Sequence, residues 1–173
     1  MTQSVIGGWH EYFIGVVTVG AALTGLLFIG LTLSLQYVLA GKGYLFRAFA
    51  SVYLQFEAVV VGLFGLVPGQ PVWVLGIEWI VTGLAFLLGF MSFASNFPED
   101  PTSVLGSKWP HRIRITLIWL SAILPAAAGA CLLADWRGAL YLLIPAEIGG
   151  LFLSVGNAWV FAVEIPRRAQ KKA

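Results

Sequence analysis

Charge is what this chain lacks most. Only 10% of its residues are Asp, Glu, Lys or Arg, where a water-soluble domain carries about a quarter. So little charge cannot coat a globule in water, which excludes an ordinary soluble domain. Cysteine is nearly missing as well: Cys131 stands alone, so neither a disulfide framework nor a thiolate metal cluster is available. The two histidines, His10 and His111, lie outside the long apolar runs, which argues against haem or a His-ligated metal held in a membrane. What fills the chain instead is apolar: 59% of 173 residues, with a mean hydropathy of +0.88. These proportions describe an all-α polytopic membrane protein.

A helix needs about 20 predominantly apolar residues to cross hydrocarbon. Five stretches qualify, at about 12–39, 45–67, 72–95, 113–134 and 139–165. The breaks between them carry turn chemistry: Gly41-Lys42-Gly43, Pro68-Gly69-Gln70-Pro71, a long loop at 96–112, and Asp135-Trp136-Arg137-Gly138. The first run has no basic residue ahead of it and is too long for the apolar core of a cleaved signal peptide. Orientation follows from the Lys/Arg asymmetry. With the N-terminus outside, the inner segments hold Lys42, Arg47, Lys108, Arg112, Arg114, Arg167, Arg168, Lys171 and Lys172, and the outer segments only Arg137. A single bundle of five transmembrane helices is expected, N-terminus outside and C-terminus cytoplasmic. Trp9, Trp73, Trp109 and Trp136 fall near the expected interfaces, where indole is both wetted and buried. The basic tail reads as a topology anchor against anionic lipid and not as a nucleic-acid surface. The 96–112 loop, "NFPEDPTSVLGSKWPHR", has too few apolar residues for a core of its own, so no catalytic domain fits there.

Three glutamates interrupt the apolar runs. At about 1.5 Å of rise per residue, Glu57, Glu78 and Glu147 lie roughly 15, 9 and 12 Å from the outer ends of their helices. Three helices thus contribute a carboxyl to one outer layer, with no Lys or Arg at that depth. An ionised acid at a helix centre costs about 2.5–3.5 kcal/mol on insertion scales, so such residues are functional candidates by default. Each continues into a small or polar face at helical spacing. The third helix carries Glu78, Thr82, Ala85, Gly89, Ser92 and Asn96, and the fifth Glu147, Gly150, Ser154, Asn157, Phe161 and Glu164. The first offers Thr18, Ala22, Gly25, Thr32 and Gln36. On the second, Tyr53 and Glu57 form an i,i+4 pair while Gln55 points roughly the other way. Pro145 is expected to free the carbonyl of Tyr141 and kink the fifth helix beside Glu147, as broken helices do at transporter sites. Pro125 offers a second kink. His10–Glu11 marks either an outer vestibule or ordinary headgroup chemistry.

Simpler readings stand beside these. A buried glutamate can stay neutral and donate to a nearby carbonyl. The stripe Ala146, Gly150, Ser154, Ala158 and Ala162 repeats every four residues, as a helix-packing face does. No phosphate-binding loop, dinucleotide fingerprint, nucleophile elbow or zincin motif occurs, and no Glu-x-x-His motif supports a di-iron site in the bundle. An enzyme, a bound cofactor and a metal are therefore not expected.

The stretches "AALTGLLFIGLTLSL" (residues 21–35), Arg47-Ala48 and "LVPGQ" (residues 66–70) resemble a family of small, uncharacterised bacterial membrane proteins sometimes labelled protease modulators. The resemblance covers the first 70 residues. It implies a multipass protein of the bacterial inner membrane and transfers no functional residue.

The leading expectation is a channel or carrier for protons or cations. Glu57, Glu78 and Glu147 would form its accepting layer, and Thr82, Ser92, Ser154 and Asn157 would continue the path inward. Five helices seldom enclose a pore alone, so a homo-oligomer in the lipid bilayer is expected, joined through small-residue faces. The alternative is a non-transporting adaptor that binds another membrane protein or a protease through the 96–112 loop and the basic tail. A third reading is a lipid-handling protein. Orientation is checked with reporter fusions: those at Gly41 and within 97–110 should report a cytoplasmic location, and those at Gln70 and Asp135 an external one.

Overall fold

Hydropathy sets the architecture. The computed structural model describes residues 6–40, 42–96, 111–136 and 138–170, which are helical apart from turns such as those at 66–71 and 134–136, with no strand among them. The helices are α1 (His10–Leu33), α2 (Leu35–Ala40), α3 (Lys42–Gly65), α4 (Val72–Asn96), α5 (His111–Leu133), α6 (Leu143–Trp159) and α7 (Ile165–Gln170). A 3-10 turn at Ala139–Leu142 leads into α6, and a π-helical segment at Val160–Glu164 joins α6 to α7. Among the described residues, five helical spans are long and apolar enough to cross a membrane. Their outer faces carry exposed Phe28, Ile29, Leu33, Leu88, Phe152 and Trp159, a surface that water would disfavour and lipid accommodates. This fits a multipass membrane protein.

The first expected span is broken. At Ser34 the backbone leaves helical geometry (φ −110°, ψ 10°), and the Ser34 hydroxyl donates to the carbonyl oxygen of Phe161 in the π segment. A π segment leaves carbonyls out of the regular helical ladder, and here one of them meets a partner from another helix. Gly30 permits the approach: a Cβ there would lie 3.3 Å from the Ala158 carbonyl oxygen.

α3 is the most buried span and α1 the least. α3 packs against α1, α4, α5 and α6, so it occupies the middle of the bundle. Two bonds fix it to α4: the Tyr53 hydroxyl donates to the Phe86 carbonyl at 3.0 Å, and Trp79 Nε1 donates to the Val61 carbonyl at 3.1 Å. Phe13 of α1 lays its ring on Gly65, where any side chain would collide with it. Phe13, Val61, Leu75, Trp79, Leu140 and Leu143 form a buried cluster at this end of the bundle.

α4 and α5 meet backbone to backbone. A Cβ at Gly83 would lie 2.8 Å from Ala126, and one at Gly129 would lie 3.0 Å from Ile80 and closer still to the Gly76 carbonyl. Such approach is how membrane helices gain van der Waals contact where no hydrophobic driving force separates them from lipid. Pro125 lies inside α5, buried, one turn before Gly129. Pro145 falls in the first turn of α6, just where the 3-10 turn at Ala139–Leu142 passes into the α-helix. At the end of α5, Asp135 takes a left-handed conformation (φ 54°) and Trp136 N–H closes the helix on the Cys131 carbonyl at 2.9 Å.

The glycine contacts generate a stability prediction. Gly129→Ala should destabilise the protein by about 1–3 kcal/mol through overpacking. Gly156→Ala should be neutral, because a Cβ there meets nothing within 4 Å. Denaturant unfolding of the two variants in detergent checks the difference.

Candidate functional site

The site follows from the antiparallel register of α3 and α6. Along α3, Val61, Glu57, Leu54, Ser51 and Arg47 succeed one another at helical spacing, and all are buried. Along α6, Leu143, Glu147, Gly150, Ser154 and Asn157 do the same in the opposite direction. The two rows match rung for rung. Val61 and Leu143 share the apolar cluster. A Cβ at Gly150 would lie 3.8 Å from Leu54 Cβ and 3.4 Å from Ser121 Oγ, so the middle of the seam is tight. The Ser154 hydroxyl donates to the Ser51 carbonyl at 2.8 Å, and Arg47 Nη2 donates to Asn157 Oδ1 at 3.2 Å.

At one end of the seam Glu57 and Glu147 come together. They are 2% and 3% exposed, and Glu147 lies within electrostatic range of both Glu57 and the Tyr12 hydroxyl of α1. Among the described residues, Glu57 Oε1, Glu147 Oε1 and the Tyr12 hydroxyl have no hydrogen-bond partner although all three atoms are buried. Buried oxygens left this way are costly. They are concentrated where α1, α3 and α6 meet.

Glu78 stands elsewhere. It is half-buried and accepts a hydrogen bond from Gln70 Nε2 in the turn ahead of α4. Gln70 and His10 line a hollow of about 330 Å³ with the chain from Gly65 to Gly69. Glu11 is exposed beside it. Among the described residues, no three acidic, histidine or cysteine side chains lie close enough to hold a metal ion. The expected layer of three glutamates is thus a pair, with the third tied to the turn.

The remaining expected residues separate in the same way. Ser154 and Asn157 lie in the seam, whereas Thr82 is buried on α4 and Ser92 is exposed near the end of that helix. The polar face of α4 therefore turns outward as it descends. Ala146, Gly150, Ser154 and Ala158 are buried and Ala162 half-buried. Ser121 of α5 donates to the Ala146 carbonyl at 3.0 Å. Thr18, Ala22, Gly25 and Thr32 of α1 and Gln36 of α2 are all exposed, the opposite of an interior face. Gln55 is fully buried, accepting from Thr24 of α1 at 3.2 Å, and its Nε2 has no partner among the described residues.

Sequence reasoning missed Arg47. It counts as a basic residue at the inner end of a span, yet it is 4% exposed and held between α3 and α6. Asn157 Nδ2 donates to Ser51 Oγ at 2.7 Å, and Ser51 Oγ donates to the Arg47 carbonyl at 2.8 Å. The available signal was the spacing Arg47, Ser51, Leu54, Glu57, which places the guanidinium on the same stripe as the carboxylate.

Compared with known proteins, the chain matches no family model, no curated protein and no solved structure.

The geometry predicts which glutamates are energetically coupled. A double-mutant cycle on Glu57→Gln and Glu147→Gln should give an interaction energy of about 0.5 kcal/mol or more, as for residues in contact. The cycle on Glu57→Gln and Glu78→Gln should be additive. Unfolding midpoints of the single and double variants provide the measurement.

Proposed function

We propose that this protein is a small integral-membrane carrier that moves protons, with Glu57 and Glu147 taking them up and releasing them. One observation carries the reading: two buried carboxyls from different helices lie within electrostatic range of each other, and each keeps an oxygen without a hydrogen-bond partner among the described residues. Intramembrane acids of this kind mark proton relays in pumps and transporters. Tyr12 supplies a hydroxyl beside the pair, and Ser51, Ser154 and Asn157 continue the polar seam towards the other end. A proton serves the pair as counter-ion in a low-dielectric interior, and its release needs water to reach the carboxyls. Arg47 at the far end opposes free passage of cations through an open pore. The reading is accordingly a carrier, not a channel.

The further expectations join this proposal. The N-terminus lies outside, so the carboxyl pair is nearer the outer surface and Arg47 nearer the cytoplasm. The bacterial inner membrane is the proposed location. Copies associate through α1, whose small and polar face of Thr18, Ala22, Gly25 and Thr32 is exposed. The adaptor alternative rests largely on residues 97–110 and 171–173, which lie outside the described residues.

Proton flux into liposomes, followed with an entrapped pH-sensitive dye, tests the proposal. Glu57→Gln and Glu147→Gln should each reduce flux to that of protein-free vesicles, while Glu78→Gln, at the turn, should retain most of it. A folded Glu57→Gln, Glu147→Gln double variant that moves protons at the wild-type rate would sink the reading.

A further inference from the structure

The proton reading leaves the Arg47 end of the seam without a task. A guanidinium has five N–H donors and no acceptor. Nη2 of Arg47 is bonded to Asn157, whereas Nε and Nη1 are buried without a partner among the described residues. The groups that hold Arg47 in place are neutral: the Asn157 side-chain amide, itself braced by the Ser51 hydroxyl. A buried charge held by neutral groups is poorly compensated, and removing one from water costs several kcal/mol unless an opposite charge meets it. The nearest buried acid on the same stripe, Glu57, is ten residues along α3, about 15 Å by helical rise. It does not supply that charge.

The backbone around this end is also irregular. The π segment begins three residues after Asn157, and its Phe161 carbonyl is taken up by Ser34 at the break between α1 and α2. Single π turns occur often at functional sites because they redirect side chains and carbonyls. Two helices therefore abandon regular geometry within a turn of the Arg47–Asn157 contact. The same end carries Arg167 of α7, exposed, and Glu164 of the π segment, half-buried.

We infer that Arg47, with Asn157 and Ser51, forms a binding site for an oxyanion of the phosphate type, reached from the end of the bundle where α3 begins. Phosphate oxygens accept from a guanidinium in charge-assisted hydrogen bonds, and Arg is the residue suited to this chemistry. Nε and Nη1 donate to the anion. Asn157 keeps the guanidinium plane fixed through Nη2, and Ser51 fixes Asn157. The phosphate belongs either to a lipid headgroup or to a free anion, and the chemistry is common to both.

Thermal unfolding of the full chain distinguishes the sources. In detergent, inorganic phosphate should raise the midpoint above that in chloride at equal ionic strength if a free anion binds. In nanodiscs, phosphatidylglycerol should raise it above phosphatidylcholine alone if a lipid binds. At least one of these shifts is expected in the wild type, and Arg47→Gln should abolish it. Asn157→Asp places a carboxylate against Arg47, so it should abolish the shift while leaving the protein at least as stable without phosphate. That variant decides the matter if Arg47→Gln does not fold. The inference is overturned if the wild type responds to neither probe, or if Asn157→Asp keeps the full response. It is independent of the proton proposal, because the readout is binding and not flux.

Discussion

Burying ionisable groups between α3 and α6 is the constraint on which the rest of this bundle depends. α3 carries Glu57 and Arg47 on one stripe, and both are withdrawn from the surface. About 15 Å of helix separates them, too far for direct pairing, so each end of the seam meets its own electrostatic demand. The Glu57 end brings up a second carboxyl and a phenol. The Arg47 end brings up an amide and a hydroxyl. Between them Gly150, Ser154 and Ser51 close the gap, and their small size lets two helices bearing large polar groups at both ends approach in the middle, with Leu54 packed on Gly150.

The other helices wall off this seam. α4 and α5 form a glycine-locked pair, and α3 is fastened to it by Tyr53 and Trp79. α1 covers the opposite side, contributing Tyr12 to the carboxyl pair, Thr24 to Gln55 and Ser34 to the π segment. It is the least buried span, yet it supplies a polar partner at three levels. Its contribution is therefore chemical more than volumetric. Its exposed face is apolar enough for lipid to solvate as readily as protein would, and in such surroundings little apolar burial is needed to hold a helix in place.

Much of this was legible in the sequence. The five spans emerge from hydropathy alone, and the buried face of α6 from its three-and-four spacing. Glu57 and Glu147 stood out because hydrocarbon makes acids rare. Glu78 looked equivalent by depth, but depth says nothing of direction around the helix axis, and a glutamine eight residues away in the turn captured it. Arg47 escaped notice for a related reason. A basic residue near a helix end satisfies the topology rule whether it reaches for water or turns inward, and only the packing of α6 distinguishes the two. The Ser34 break carries no proline or glycine pair to announce it, whereas the π segment ends two residues before Pro166, whose missing N–H leaves the Ala162 carbonyl without its helical donor. A hydrogen bond between residues 127 positions apart joins the two irregularities.

The turn between α3 and α4 has a mechanical consequence. Pro68 and Pro71 stiffen it, Gly69 holds a left-handed angle of φ 69°, and Gln70 latches onto Glu78 inside α4. Such a hairpin is a rigid arm, and the α5 backbone is clamped to it. α6 differs, since its two ends are the 3-10 turn and the π segment, neither with the regular α-helical ladder. Those two joints bracket the regular stretch of α6 that carries Glu147, Ser154 and Asn157.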